Sequence, residues 1–104
     1  MTTVGEVFRF LQEKAPFELQ EGFDNAGFLV GREESSINRI LVSLDITEQV
    51  VREAADQGAQ LIVAHHPVIF GGVKSVTDQT ITGRILLSLA ENGIAAICAH
   101  TNLD

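Results

Sequence analysis

The sequence predicts an α/β fold in which a parallel or mixed sheet is flanked by helices. Two apolar runs, 61–64 and 94–99, have the continuous hydrophobic character of strands buried on both faces. From residue 39 onward the order is strand, helix, strand, helix, strand, which is typical of parallel βαβ units with right-handed crossovers. A hydrophobic fraction of 45% and a charged fraction of 20% belong to a globular chain.

The first elements follow from local signals. Thr3 and Glu6 have capping-box spacing, and apolar residues then recur at helical intervals, so we expect a helix from Val4 to about Lys14. Pro16 marks its end, and residues 17–26 are predicted to form a loop. Residues 28–30, lying between two glycines, predict a short strand.

The next three elements form the first predicted βαβ unit. Residues 39–44 predict a strand, and Thr47 is a candidate N-cap for the helix that follows. That helix would bury a stripe of apolar residues and end at Gly58 as its C-cap. Its stripe comprises Val50, Val51, Ala54 and Ala55. Residues 60–65 then predict the second strand of the unit.

The last elements repeat this order. Asp78 or Thr80 would cap a third helix that carries four apolar residues at helical spacing. Asn92-Gly93 is a typical helix end, and residues 94–99 predict the final strand. We therefore expect residues 1–104 to form a single α/β domain. Because the chain stops directly after a central strand, we expect it to be the incomplete N-terminal fragment of a longer protein.

Charge and composition narrow the classes of partner. Seven basic and fourteen acidic residues give a net charge of −7, which would repel nucleic acid. No apolar run approaches the ~20 residues of a membrane span, and no signal peptide is recognisable, so we expect a cytoplasmic protein without nucleic-acid or membrane partners. The single cysteine, Cys98, lies in an apolar run and is expected to be a small buried hydrophobe.

All three histidines follow predicted strands. His65 and His66 come after Ala64, and Pro67 then stops the strand because it lacks an N–H group. His100 and Asp104 follow the last strand, and Asp45 follows the strand that ends at Leu44. Ligands of open parallel sheets bind beyond the carboxyl ends of the strands, so these groups should converge there if the strands are neighbours.

The converging groups form a nitrogen and oxygen ligand set. Two or three imidazoles with one or two carboxylates suit zinc, iron, manganese or nickel. Adjacent histidines at a broken strand end can share a cavity or bind one ion each of a pair, with Asp104 as a candidate bridge. The sequence thus indicates a site for one or two divalent ions.

Simpler interpretations apply to each residue. A single histidine at a strand end is more often a hydrogen-bonded structural residue than a ligand. Two in tandem, with a third histidine and an aspartate after the next strand, shift that balance toward a metal. For Asp45 we favour a turn or helix-cap role. Asp24 and Asn25 fit a turn before the first strand, and Gly71-Gly72 has neither Walker nor dinucleotide-binding spacing.

Two segments resemble a known family. Residues 64–70, Ala-His-His-Pro-Val-Ile-Phe, and residues 99–104, Ala-His-Thr-Asn-Leu-Asp, strongly resemble the GTP cyclohydrolase 1 type 2 homologues, also called Nif-three-like proteins. Residues 22–31 and 43–47 match further segments of that family. A tryptophan common in the family is replaced by Phe23 here.

The resemblance implies a dinuclear metal centre and a toroidal homohexamer. By motif match, His65, His66 and Asp104 would be metal ligands for two divalent ions, with Asp104 shared between them. His100 would lie in the pocket as a catalytic residue that either contacts a metal ligand or transfers protons. The family completes its centre with a histidine and a glutamate from its C-terminal half, and this chain contains no such segment.

Three functional hypotheses follow. The first is a metal-dependent hydrolase, similar to GTP cyclohydrolase 1 type 2, acting on a small-molecule substrate. The second is a non-enzymatic metal-binding module with a regulatory or protein-interaction role, which an acidic surface suits. The third is a half-domain that folds but has no activity alone.

Overall fold

Two layers of helices enclose a four-stranded sheet in the computed structural model, which describes residues 2–14, 27–66 and 73–99. The elements in chain order are α1 (Val4–Lys14), β1 (Gly27–Val30), β2 (Ile40–Ser43), α2 (Glu48–Asp56), β3 (Leu61–Ala64), α3 (Ile81–Glu91) and β4 (Ala95–Cys98). The predicted α/β class, with a mixed sheet flanked by helices, is confirmed.

The sheet has the strand order β1-β4-β3-β2. β2 runs parallel to β3, and β3 runs parallel to β4, so the predicted βαβ units are present and their strands are neighbours. β1 is antiparallel to β4 and shows a register irregularity between Phe28 and Val30. This topology brings the carboxyl ends of β2, β3 and β4 to one edge.

The two faces of the sheet are covered unequally. One face carries Ile62 and Ala96 and packs against α2 and α3, through fully buried residues such as Leu89. The other face carries Leu61 and Ile97 and packs, among the described residues, against α1 and Ile37. Cys98 is completely buried in the first face, as the sequence predicted.

Side-chain caps explain where the helices begin. The Thr3 N–H donates to Glu6 Oε1 at 3.2 Å, and the Glu6 N–H donates to Thr3 Oγ1 at 3.3 Å, which is the predicted capping box. Thr47 Oγ1 accepts the Val50 N–H at 3.1 Å. For α3 the structure selects Thr80 over Asp78, because Thr80 Oγ1 accepts the Gly83 N–H at 2.9 Å.

Glycines with positive φ lie directly after the helix ends. The C-cap of α2 is Gln57, one residue earlier than the predicted cap Gly58, which follows it at φ +73°. Asn92 caps α3, and Gly93 follows at φ +64°. A positive φ is strained for residues with a Cβ, which is why glycine suits both positions. None of the helices within the described ranges is long and apolar enough to cross a membrane.

Candidate metal centre

The backbone pairing of the parallel strands continues past their assigned ends. The His65 N–H donates to the Ser43 carbonyl at 3.3 Å, and the His66 N–H donates to the Leu44 carbonyl at 2.9 Å. On the other side of β3, the Ala99 N–H donates to the Ala64 carbonyl at 2.9 Å. The two histidines are therefore held at the carboxyl edge of the sheet by main-chain hydrogen bonds.

His66 contacts a carboxylate from the neighbouring strand end. Its Nδ1 atom lies 2.6 Å from Oδ1 of Asp45, a short hydrogen-bond distance. A carboxylate oxygen accepts, so the Nδ1–H group is the donor. The two side chains are about half exposed, with 44% of His66 and 55% of Asp45 accessible. The pair thus lies at the surface of the sheet edge, open to a ligand.

The segment around Asp45 is constrained on both sides. The Ser43 hydroxyl donates to the Asp45 carbonyl at 2.7 Å, which stabilises the bend after β2. Ile46, the next residue, is buried in the core, and Thr47 caps α2. These contacts place the carboxylate before the helix begins, facing the end of β3.

His65 lies beside His66 with a different environment. The two ring centroids are 5.2 Å apart, and the ring planes are inclined by 73°. His65 is partly buried, and its Nδ1 atom is buried completely. Adjacent residues of a regular strand point to opposite faces, but the chain bends here, and the two imidazoles remain close.

The structure brings together two of the four predicted site residues. His65 and His66 lie at the predicted edge. His100 and Asp104 fall outside the described residues, as do Asp24, Asn25 and the Gly71-Gly72 pair. Within the described ranges, no group of three or more histidine, cysteine, aspartate or glutamate side chains is arranged to hold a metal ion.

Asp45 requires a correction. The turn assignment is right, because the residue lies in a bend, but the helix-cap assignment is wrong, since Thr47 caps α2. Its carboxylate instead contacts His66. The parallel register contains the missing signal: Ser43 pairs with Ala64, so two residues further on Asp45 stands opposite His66.

Comparisons with known proteins cover the whole chain. The profile of the Duf34/NIF3 (NGG1p interacting factor 3) family matches residues 2–104. The chain is 43% identical over 101 residues to the GTP cyclohydrolase 1 type 2 homolog of Clostridium perfringens, covering 97% of this chain and 38% of that protein. It is 40% identical over 104 residues to GTP cyclohydrolase 1 type 2 of Helicobacter pylori, covering 100% of this chain and 42% of that one.

A solved structure shows the same fold. The crystal structure of the Staphylococcus aureus hypothetical protein SA1388 superposes with a TM-score of 0.94 at 37% identity, covering 99% of this chain and 34% of that chain. The resemblance predicted from the sequence is thus confirmed. The chain spans about two fifths of the length of the two curated relatives, with 38% and 42% of them covered.

Proposed function

The chain belongs to the Duf34/NIF3 family, and we propose that it contributes to a dinuclear divalent-metal centre of a metal-dependent hydrolase similar to GTP cyclohydrolase 1 type 2. One observation carries the proposal. Two adjacent imidazoles lie at the carboxyl edge of a parallel sheet, and one of them donates its Nδ1–H to a carboxylate. Metal-ligating histidines almost always make such a second hydrogen bond.

The donor set fits a divalent ion. Asp45 occupies Nδ1 of His66, so Nε2 of that ring is the nitrogen that keeps a lone pair. Nδ1 of His65 is buried, so in the proposal the other ring nitrogen, Nε2, is the candidate donor. Neutral imidazole nitrogens suit zinc, iron, manganese or nickel. In the proposal, Asp104 supplies the shared oxygen ligand of a two-ion site.

In the proposed reaction, His65, His66 and Asp104 would hold the ions, which when bound supply Lewis acidity that makes water nucleophilic near neutral pH. His100 would hold or deliver a proton for the leaving group. Asp45 keeps the His66 ring in one orientation. The name of the Helicobacter pylori relative makes GTP the first substrate to test.

A second candidate function is a non-enzymatic metal-binding module with a regulatory or protein-interaction role. The net charge of −7 favours protein partners over nucleic acid, and the family description refers to an interacting factor. Metal-dependent turnover would separate the two candidates. It is expected for the hydrolase and excluded for a pure binding module.

We also propose that the protein is a homo-oligomer, and the expected form is the hexamer that the family resemblance implies. The support is an apolar groove of about 430 Å³ between α1 and β2. In it, Val42 is 76% exposed and Phe10 56% exposed. Edge strands usually avoid such side chains unless they are covered.

A cytoplasmic location stays a prediction of the sequence.

Metal content and turnover together test the proposed function. The native-length protein should retain divalent metal after dialysis, and His65→Ala and Asp104→Ala should each weaken binding by more than about tenfold, because a vacant coordination position remains. Asp78→Ala, which removes an exposed carboxylate elsewhere, is the matched control and should bind as wild type.

The same preparations are then assayed against nucleotides and phosphoesters, beginning with GTP. Metal-dependent turnover that disappears in His66→Ala supports the hydrolase. Unchanged metal content in both His65→Ala and Asp104→Ala would contradict the metal centre. Metal binding without turnover of any substrate would favour the binding module instead.

A further inference from the structure

We infer that Asp45 is a positioning residue for His66: its carboxylate fixes the ring in the Nδ1–H tautomer and so presents Nε2 as the donor to a divalent ion. The inference rests on the proposed metal site for its function. Its structural basis is the 2.6 Å contact between His66 Nδ1 and Asp45 Oδ1. The family resemblance assigns no ligand role to Asp45, although the residue lies in the matching segment 43–47. Its proposed role follows from the fold.

The sheet itself sets this contact. Ser43 and Ala64 are partners in the parallel register of β2 and β3, and Asp45 and His66 lie two residues beyond each of them. The His66 N–H also donates to the Leu44 carbonyl at 2.9 Å, so the segments that follow β2 and β3 are still paired at this point. The side chains therefore meet as cross-strand neighbours on adjacent strands.

The position of Asp45 is fixed independently of His66. The Ser43 hydroxyl donates to the Asp45 carbonyl at 2.7 Å, and the following Ile46 side chain is buried. The helix cap at Thr47 comes one residue later. Because its backbone is held on both sides, the carboxylate can orient the imidazole rather than follow it.

The chemical consequence concerns the tautomer. A neutral imidazole carries one N–H, and the hydrogen bond of one ring nitrogen decides which nitrogen is protonated. With Nδ1–H donated to the carboxylate, the lone pair is on Nε2. Such outer contacts typically change metal affinity by about 10-fold to 100-fold when they are removed.

A simpler interpretation is a surface ion pair with no further role. Both side chains are about half exposed, and exposed ion pairs contribute little to stability. A stability measurement therefore cannot separate the two interpretations. The tautomer of His66 and the affinity for zinc can separate them, because a passive surface pair predicts that removing Asp45 changes neither quantity.

The test compares wild type, Asp45→Ala and Asp45→Asn, with Asp78→Ala as the control for loss of an exposed aspartate. Long-range ¹H–¹⁵N spectra of the metal-free proteins, at a pH where the rings are neutral, report the His66 tautomer. We expect the Nδ1–H form in wild type and in Asp78→Ala, and a shift toward Nε2–H in Asp45→Ala. Asp45→Asn should largely restore the Nδ1–H form, because its amide oxygen accepts the same bond.

Zinc titration of the four proteins gives the second readout. We expect affinity to fall about 10-fold to 100-fold in Asp45→Ala and less in Asp45→Asn. An unchanged His66 tautomer in Asp45→Ala would overturn the inference, as would a changed tautomer with unchanged zinc affinity. If wild type bound no zinc, the proposed metal centre would fail, and the role of Asp45 as a determinant of Nε2 donation to a metal would be overturned with it. The tautomer spectra would still report separately whether Asp45 determines the tautomer of the His66 ring.

Discussion

Gly83 is a position at which a single methyl group would disturb the fold. It lies in the first turn of α3, and a Cβ there would come within 2.0 Å of the Thr77 carbonyl oxygen and 2.8 Å of the Thr80 hydroxyl. Replacing glycine by alanine inside a helix normally stabilises it by about 0.5–1 kcal/mol. Gly83→Ala should instead destabilise the protein by about 1–3 kcal/mol, because the segment before the helix must move.

Urea denaturation measures this free energy of unfolding. Ala90→Gly is the matched control, because Ala90 is exposed in the same helix and reports the intrinsic difference between the two residues. We expect it to cost about 1 kcal/mol. A Gly83→Ala protein more stable than wild type would show that the close approach to Thr77 is wrong.

At the same scale, the place of the tandem histidines at the end of a strand could be predicted, whereas the contact between Asp45 and His66 could not. His65 and His66 are adjacent in sequence and directly follow a recognisable buried strand. The partner of His66 depends on which strand lies beside β3 and in which register. Both are tertiary properties, and a one-residue change in register would remove the contact.

Helices and strands of the described chain were predictable because their signals are local. The caps at Thr3, Thr47 and Thr80 and the glycines after α2 and α3 all lie within one turn of the helix that they bound. The antiparallel pairing of β1 with β4 was not predictable, because residues 28–30 form a short run without a distinctive pattern. Short strands acquire their partners from tertiary packing.

The exposed face of β2 leads to a prediction about assembly. In the parallel register Ile40 and Val42 lie beside Leu61 and Val63, yet their side chains are 43% and 76% exposed. Val42→Lys places a charge in this groove and should shift the proposed homo-oligomer toward smaller species in sedimentation velocity, because burying an unpaired charge is costly. Folding should be retained, since Val42 is 76% exposed in the single chain.

Val76→Lys is the matched control for that experiment. It makes the same substitution at another exposed valine, 49% accessible, and changes the net charge equally. We expect it to sediment as wild type. An unaltered oligomer in Val42→Lys, or a monomeric wild-type protein, would contradict the proposal that the groove lies between copies of the chain.

On the scale of the whole molecule, the fold explains why the candidate site lies where it does. Three parallel neighbours end at one edge, two of them carry His65, His66 and Asp45 there, and the third leads directly toward residue 100. Ligands of open parallel sheets bind at such edges. The convergence of strand ends was predictable from the alternation of strands and helices, and the strand order confirms it.

The central claim is that His65 and His66 bind divalent metal, and anomalous scattering tests it most directly. Crystals of the native-length protein, grown with zinc, iron, manganese or nickel, are measured above and below the absorption edge of the added metal. We predict an anomalous peak about 2.0–2.2 Å from an imidazole nitrogen of each histidine, with an Asp104 oxygen at a similar distance. Full metal occupancy elsewhere in the molecule, with no peak beside either histidine, would contradict the account.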